Sequence, residues 1–340
     1  MPSQILHTLF GEDVIQRLST TMDDAALGKE LCALIQRQSG FFSLGCQGPD
    51  IFYHNQLSRP LSLEYGGLLH RRGFGDFAAD LLFRTAPKYA ESGIGWQDES
   101  LSAYALGFMT HAFLDRALHP YIIYKTYAAG NAWFGSHAFF ERIIDSIMVA
   151  ILRKKSIVAW DQDAHLAEPC RVSRELSPGG LSGLLTESLI QCIPEKAQGD
   201  ARLACRIQNA LKDCQLYYSR TNPHSPYTRD ERIHSAYAYP RRFSLAVDYL
   251  NLAHRPWYDS AAAGEGDTRS LPEQYADALG YAALTLCGFM GRSWREGAFP
   301  QEAASEALGN WGLSFQAAAQ VTQYRSDPLP LEEIFLSAAF

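Results

Sequence analysis

The sequence predicts an all-α protein, a multi-helix bundle, on three observations. Apolar residues recur at helical spacing along most of the 340 residues. Alternation of apolar and polar residues, the pattern of half-buried strands, is nearly absent. Groups of Gly, Pro and Ser separate the periodic segments. The chain is long enough to bury a large core, so we expect a single all-α domain over residues 1–340.

The limits of each expected helix follow from local rules. Pro120 disfavours a helical conformation at His119, so the helix that begins at Glu99 should end there. Ser136 is a suitable N-cap for the next helix, and Phe41–Asn55, rich in Gly and Pro, should be a structured loop. The expected helices cover residues 13–38, 62–89 with an interruption near Gly73 and Gly75, 99–118, 136–155, 181–191, 200–218, 242–254, 272–290, 301–324 and 331–339.

Composition narrows the class of function and the expected compartment. A formal net charge of −7 argues against binding of nucleic-acid duplexes, which requires a basic face, whereas bound divalent cations would offset part of that charge. The seven cysteines form no Cys-x-x-Cys pair, as expected of reduced thiols in a cytoplasm. The first residues lack the pattern of a secretory signal, and no apolar run reaches the length of a membrane span. We therefore expect a cytoplasmic protein.

Two stripes of histidines and carboxylates give the clearest functional indication. The segment HAFLDRALHP places His111, Asp115 and His119 at positions i, i+4 and i+8, within roughly 80° of one another on a helix. His137 and Glu141 repeat the i, i+4 spacing on the next helix. Further candidates, all upstream, are His7, Asp50 and His70. Nitrogen and carboxylate ligands without cysteine are typical of zinc in a hydrolytic site.

This arrangement resembles the zinc-dependent phospholipase C family, whose fold is shared with the S1/P1 nucleases. The motifs that carry the resemblance are LGCQGPDIFY, LLHRRGFG, GFMTHAFLDRALHPY and SHAFFERIID, with an early His7 in the order of the family. The metal-binding motifs thus lie within residues 1–155. The resemblance implies an all-α bundle that holds three zinc ions in a cleft, with residues 156–340 completing the bundle and the substrate cleft.

The resemblance also implies a ligand set. One zinc ion would be held by Asp50, His70, His111 and Asp115. Asp115 would bridge to a second zinc ion, bound with His7 and the N-terminal amine, and the third would be held by His119, His137 and Glu141. Removal of Met1 would make Pro2 the amine ligand. A site with fewer ligands, or with only two metal ions, is the alternative.

The activity implied is hydrolysis of a phospholipid or related phosphodiester by a zinc-activated water that attacks phosphorus. Asp50 is the candidate general base, and Asp145 is a candidate partner for a ligand imidazole. Arg71 or Arg72 is a candidate for the substrate phosphate. Trp133 and Phe134 could contact a lipid or stack on a base, although core packing is the simpler interpretation.

Two other functions remain open. A nuclease or nucleotidase could use the same fold, and a non-catalytic metal-binding protein could retain the same ligands. A phospholipid substrate would imply peripheral contact with a membrane, whereas a small phosphodiester would not. Metal-dependent turnover separates enzyme from binder, and the identity of the released product separates the two enzymes.

Overall fold

Helices account for nearly all regular structure in the described part of the chain, and the all-α fold class is confirmed. The computed structural model describes residues 4–90, 93–127, 133–175, 180–223, 239–240, 244, 246–260, 266–291, 294, 299–314 and 325–331. The α-helices are α1 (Gln4–Thr21), α2 (Ala25–Arg37), α3 (Ser39–Cys46), α4 (Asp50–Tyr53), α5 (Leu63–Arg71), α6 (Phe74–Arg84), α7 (Glu99–Thr126), α8 (Trp133–Arg153), α9 (Glu168–Glu175), α10 (Leu181–Cys192), α11 (Pro194–Ala197), α12 (Leu203–Thr221), α13 (Leu271–Met290) and α14 (Gln301–Leu308).

Four short elements complete the regular structure of these residues. The strands β1 (Lys88–Ala90) and β2 (Gly93–Gly95) form an antiparallel hairpin. A 3-10 turn spans Ile157–Ala159, and a π-helical turn, Asp163–Ala167, leads into α9. None of the helices described here is both long enough and apolar enough to cross a membrane.

The beginning of the chain departs from the expected helix 13–38 and loop 41–55. Helix α1 already ends at Thr21, and the Asp24 carboxylate caps α2 by accepting a hydrogen bond from the Leu27 N–H at 3.1 Å. The expected loop Phe41–Asn55 is wrong, because α3 and α4 occupy most of it. Phe42 is fully buried on α3, so tertiary packing outweighs the local Gly and Pro content.

Helix α7 continues through Pro120 and ends at Thr126, so the expected end near residue 118 is wrong. A proline inside a helix costs about 3 kcal/mol. The following turn offsets this cost by burying Tyr121 and Ile122 completely. As a result, His119 lies on the same continuous helix as His111 and Asp115.

Other helix ends were predicted with mixed success. The interruption near Gly73 is confirmed, because Gly73 has a positive φ of 75° between α5 and α6. Helix α8 begins at Trp133, so Ser136 lies inside the helix and is not its N-cap. Residues 246–254 form turns instead of the expected helix 242–254. The expected helix 301–324 stops at Leu308, and residues 315–324 and 332–340 lie outside the described residues.

Close contact between α3 and α7 lies at the centre of the core. A Cβ atom on Gly45 would overlap the backbone carbonyl of Tyr104, and one on Gly107 would overlap the carbonyl of Phe42. Only glycine permits two helix backbones to approach this closely. Helix α1 packs beside this pair, and α13 covers both α1 and α7. The core thus holds α3 and α7 in a fixed relation, with Cys46 next to His111.

Asp213 of α12 anchors the segment that follows α4. Its buried carboxylate accepts hydrogen bonds from the backbone N–H groups of Leu57 and Ser58, both at 2.8 Å, from the Ser58 hydroxyl at 2.7 Å and from the Asn55 amide at 2.9 Å. Burial alone would raise the pKa of Asp213, but these hydrogen bonds lower it below its ordinary value of 3.8.

We therefore expect Asp213→Asn to lower the free energy of unfolding by about 1–3 kcal/mol at pH 7. Because the folded-state pKa is depressed, the contribution of Asp213 is complete above pH 3.8 and is lost as the pH falls through the lower folded-state value. Urea denaturation at pH 7 and below pH 3.8 measures the effect. The exposed neighbour substitution Lys212→Gln is the control, and a cost for Asp213→Asn that does not shrink in acid would contradict the assignment.

Candidate metal centre

The helices bring the eight side chains expected as ligands into three groups. Within each group the candidate ligand atoms lie within 4.8 Å of one another. Helices α1, α4, α5, α7 and α8 supply these side chains. The groups are His7, His111 and Asp115; Asp50, His70 and His111; and His119, His137 and Glu141. Pro2, the expected amine ligand, lies outside the described residues.

The Asp115 carboxylate lies between two imidazoles at the centre of the cluster. Its Oδ1 is 3.3 Å from His7 Nε2, and its Oδ2 is 3.3 Å from His111 Nε2. Among the described residues none of these buried atoms makes a hydrogen bond. Ligands about 2.0–2.2 Å from one tetrahedral zinc ion are themselves about 3.3 Å apart. The two carboxylate oxygens of Asp115 could each bind a different metal ion. The His111 imidazole has only one free lone pair, so it can bind only one of them, although it belongs to two groups.

Backbone carbonyls orient two of the imidazoles. His111 Nδ1 lies 3.1 Å from the Cys46 carbonyl, and His70 Nδ1 lies 2.8 Å from the Gly66 carbonyl. A carbonyl only accepts, so each Nδ1 must carry the proton. In the neutral ring, Nε2 then keeps its lone pair. The Nε2 atom of His70 lies 2.9 Å from Asp50 Oδ1, and both rings thus present a metal-binding nitrogen to the cluster.

A threonine orients His137 in the third group. The Thr126 hydroxyl donates to the Ile122 carbonyl at 2.6 Å and therefore accepts from His137 Nδ1 at 3.0 Å. His137 Nε2 is left with its lone pair, 3.0 Å from Glu141 Oε1 and 3.2 Å from His119 Nε2. Two imidazole nitrogens and a carboxylate oxygen at these distances form a suitable set of zinc ligands.

Three of the imidazoles and the Asp115 carboxylate have the protonation states that metal ligands need. Burial disfavours the charged imidazole and lowers the pKa of His7, His119 and His137. Burial would raise the pKa of Asp115, but His111 and His7 hold it well below its ordinary value. Burial would lower the pKa of His111, but the Asp115 carboxylate raises it above its ordinary value. A fully buried carboxylate with orphaned oxygens requires a nearby cation, so the residues present fit a bound zinc ion.

Asp145 has different partners from those expected. Its carboxylate accepts hydrogen bonds from the backbone N–H groups of Ile5 at 3.1 Å and Leu6 at 3.2 Å, and from the Tyr239 hydroxyl at 2.9 Å. These bonds engage both carboxylate oxygens, and none of them comes from an imidazole of the described residues. Asp145 instead holds the first turn of α1, the helix that carries His7.

The two arginines after His70 have different surroundings. Arg72 donates to Glu195 at 2.8 Å in an exposed ion pair, and its expected role with the substrate stays a prediction. Arg71 is also exposed but lies near Tyr53, whose ring centroid is 4.7 Å from that of His70. Burial and the Asp50 carboxylate raise the pKa of Tyr53 to about 12, so its hydroxyl stays protonated.

Some residues of the site were not predicted. The carbonyls of Cys46 and Gly66 carry no sequence signature, and Thr126 lay beyond the expected end of its helix. Gly48 could have been recognised from the Gly-Pro-Asp motif, because a turn next to a buried ligand favours glycine. The side chains of Trp133 and Phe134, in the first turn of α8, lie outside the described residues.

Gly48→Ala should disrupt the cluster. Gly48 has a positive φ of 55°, and a Cβ atom there would overlap the ring of His111. We expect lower bound zinc and a loss of stability at the upper end of, or above, the ~1–3 kcal/mol typical of backbone strain alone. Elemental analysis and thermal denaturation measure both. The control is Gly183→Ala in α10, where a Cβ has no neighbour within 4 Å and where alanine favours the helix. Equal zinc content in the two variants would contradict the prediction.

Comparison with known families agrees with this geometry. Residues 6–174, about half of the chain, match the model of the family described as zinc dependent phospholipase C. All eight side chains of the three groups lie within that stretch. Neither the curated proteins nor the solved structures gave a match. Through residues 6–174, the chain belongs to the zinc dependent phospholipase C family.

Proposed function

We propose that the protein is a zinc-dependent phosphodiester hydrolase that cleaves a phospholipid or a related phosphodiester and releases a phosphorylated head group. The observation that carries this proposal is the assembly of three ligand groups along α7, two of which share His111, with Asp115 3.3 Å from both His7 and His111. Bound zinc ions would neutralise the charge of a phosphoryl group and lower the pKa of a water molecule. We assign the three sites to the three groups of side chains described above.

Asp50 is the side chain we assign to proton transfer. It begins α4, is only 6% exposed, and lies 2.9 Å from His70 Nε2 through its Oδ1. This oxygen makes no hydrogen bond within the described residues. A carboxylate held in this way can orient a water molecule and accept its proton, in addition to binding metal.

The exposure of the ligands suggests where the substrate arrives. His7 and Asp115 are almost completely buried, whereas the side chains of His137 and Glu141 are 12% and 13% exposed. The third group is therefore the more accessible of these two, while the Asp115 group lies deep in the bundle. A phosphoryl group that enters from the side of His137 and Glu141 would meet metal ions without displacing core side chains.

Hydrolysis assays on zinc-loaded protein test the proposal. We expect the release of a phosphorylated head group from phospholipid vesicles and turnover of bis(4-nitrophenyl) phosphate, both abolished by a chelator and restored by zinc. Nucleotide release from single-stranded nucleic acid, without head-group release, would favour the nuclease. Zinc-loaded protein that turns over none of these substrates would overturn the proposal and leave a metal-binding protein.

Metal content gives a prediction that does not depend on activity. Glu141 belongs to only one ligand group, so Glu141→Gln should remove about one zinc ion per chain and leave those of the other two groups. Elemental analysis of purified protein measures this loss. His254→Gln, which changes an exposed histidine outside the cluster, should keep the wild-type content. A Glu141→Gln variant with undiminished zinc would exclude Glu141 as a ligand.

Asp50→Asn should lower kcat by about 100-fold or more, because an amide accepts no proton at neutral pH. The measurement is turnover of bis(4-nitrophenyl) phosphate with zinc content determined on the same sample. Asp277→Asn, at an exposed ion pair with Arg269, is the matched control. If Asp50→Asn keeps both its zinc and its turnover, Asp50 is not the base. If it loses zinc as well as turnover, the ligand role alone accounts for the effect.

A further inference from the structure

Tyr53 lies at the edge of the ligand group formed by Asp50, His70 and His111. It follows Asp50 by three positions on α4, and its ring centroid is 4.7 Å from that of His70, with 33° between the ring planes. A Cβ atom on Gly66 would be 3.2 Å from Tyr53 Cδ1, so the missing side chain of this glycine leaves room for the phenol ring. Gly66 also provides the carbonyl that orients His70. The phenol is thus fixed against a ligand imidazole.

Arg71 lies against the adjacent glycine of the same helix. The guanidinium Nη1 is 3.2 Å from the position that a Cβ atom of Gly67 would occupy. The arginine side chain therefore folds back along α5, toward the turn of that helix against which the Tyr53 ring packs. Arg71 is close enough to Tyr53 to act electrostatically on its hydroxyl, as are Asp50 and Asp115. The phenol ring and the guanidinium accordingly lie against adjacent glycines of α5, the helix that carries His70.

Neither polar group has a partner of its own in the described part of the chain. The Tyr53 hydroxyl makes no hydrogen bond and Arg71 makes no ion pair there, although the phenol carries one O–H donor and the guanidinium five N–H donors. The neighbouring Arg72 differs, because its guanidinium is already paired with Glu195. A planar guanidinium and a phenol O–H both donate, and the complementary ligand is an anion with several acceptor oxygens.

We propose that Tyr53 and Arg71 bind the non-bridging oxygens of the substrate phosphoryl group at the edge of the Asp50 and His70 position. This inference rests on the proposed function and assigns substrate recognition to two residues of this chain. Arg71 supplies a positive charge, and Tyr53 supplies a rigid donor whose direction is set by the His70 ring. Both groups remain bound to a phosphomonoester product, so inorganic phosphate is a suitable probe of the same site.

The test compares Arg71→Gln, Tyr53→Phe and the matched control Arg72→Gln in zinc-loaded protein. We expect Arg71→Gln to weaken inhibition by inorganic phosphate and to raise KM for bis(4-nitrophenyl) phosphate, each by about tenfold or more. Tyr53→Phe, which keeps the ring, should weaken both by about tenfold, the effect of one hydrogen bond to a charged acceptor. Zinc content and thermal stability should be unchanged, which separates substrate binding from a structural role. Arg72→Gln should match the wild type.

The failure of this inference can be distinguished from failure of the proposed function. If the wild type is active and Arg71→Gln and Tyr53→Phe both behave as Arg72→Gln does, the inference is overturned and the proposed function stands. If the wild type shows no turnover, the proposed function fails. Calorimetric titration of the same zinc-loaded variants with inorganic phosphate then decides the inference, since equal affinity in all of them would overturn it.

Discussion

The Asp115 carboxylate, fully buried between the imidazoles of His7 and His111, is the constraint on which the site depends. A carboxylate removed from water costs several kcal/mol unless cations or hydrogen bonds surround it. Both of its oxygens lie 3.3 Å from an imidazole nitrogen, yet no described group makes a hydrogen bond to either. The bundle thus encloses negative charge at its centre and lines it with imidazole nitrogens, an arrangement that bound zinc would stabilise.

Helix packing determines which imidazole nitrogen faces that charge. Gly45 and Gly107 allow α3 and α7 to meet backbone to backbone, and this contact places the Cys46 carbonyl 3.1 Å from His111 Nδ1. On α5, the Gly66 carbonyl fixes His70 in the same way, and the Thr126 hydroxyl fixes His137. In each ring the occupied Nδ1 leaves Nε2 for metal. The packing of the core and the chemistry of the ligands are therefore parts of one arrangement.

Spacing on single helices was sufficient to predict the parts of the site that depend on local geometry. The i, i+4 relation of His111 and Asp115, and the all-α class, follow directly from the 3.6-residue period. Features that depend on distant packing could not be predicted in this way. Local rules predicted that a helix ends just before Pro120. In the structure α7 extends to Thr126, because the turn after Pro120 is buried. The same rules predicted an imidazole as the partner of Asp145, because nothing near Asp145 in sequence reveals that the start of α1 lies beside it.

The second half of the chain helps to fix the ligand helices, although the matched family region ends at residue 174. Arg116, next to Asp115, is buried and donates to the carbonyls of Leu308 at 2.6 Å, Gly309 at 3.0 Å and Trp311 at 3.1 Å. The Leu313 N–H donates to the carbonyl of His70 at 2.9 Å. These bonds connect α5 and α7 through one segment after α14, so the orientation of two ligand helices depends on residues outside the matched region. The sequence motifs supply the ligand side chains, and residues later in the chain help to fix the orientation of the helices that carry them.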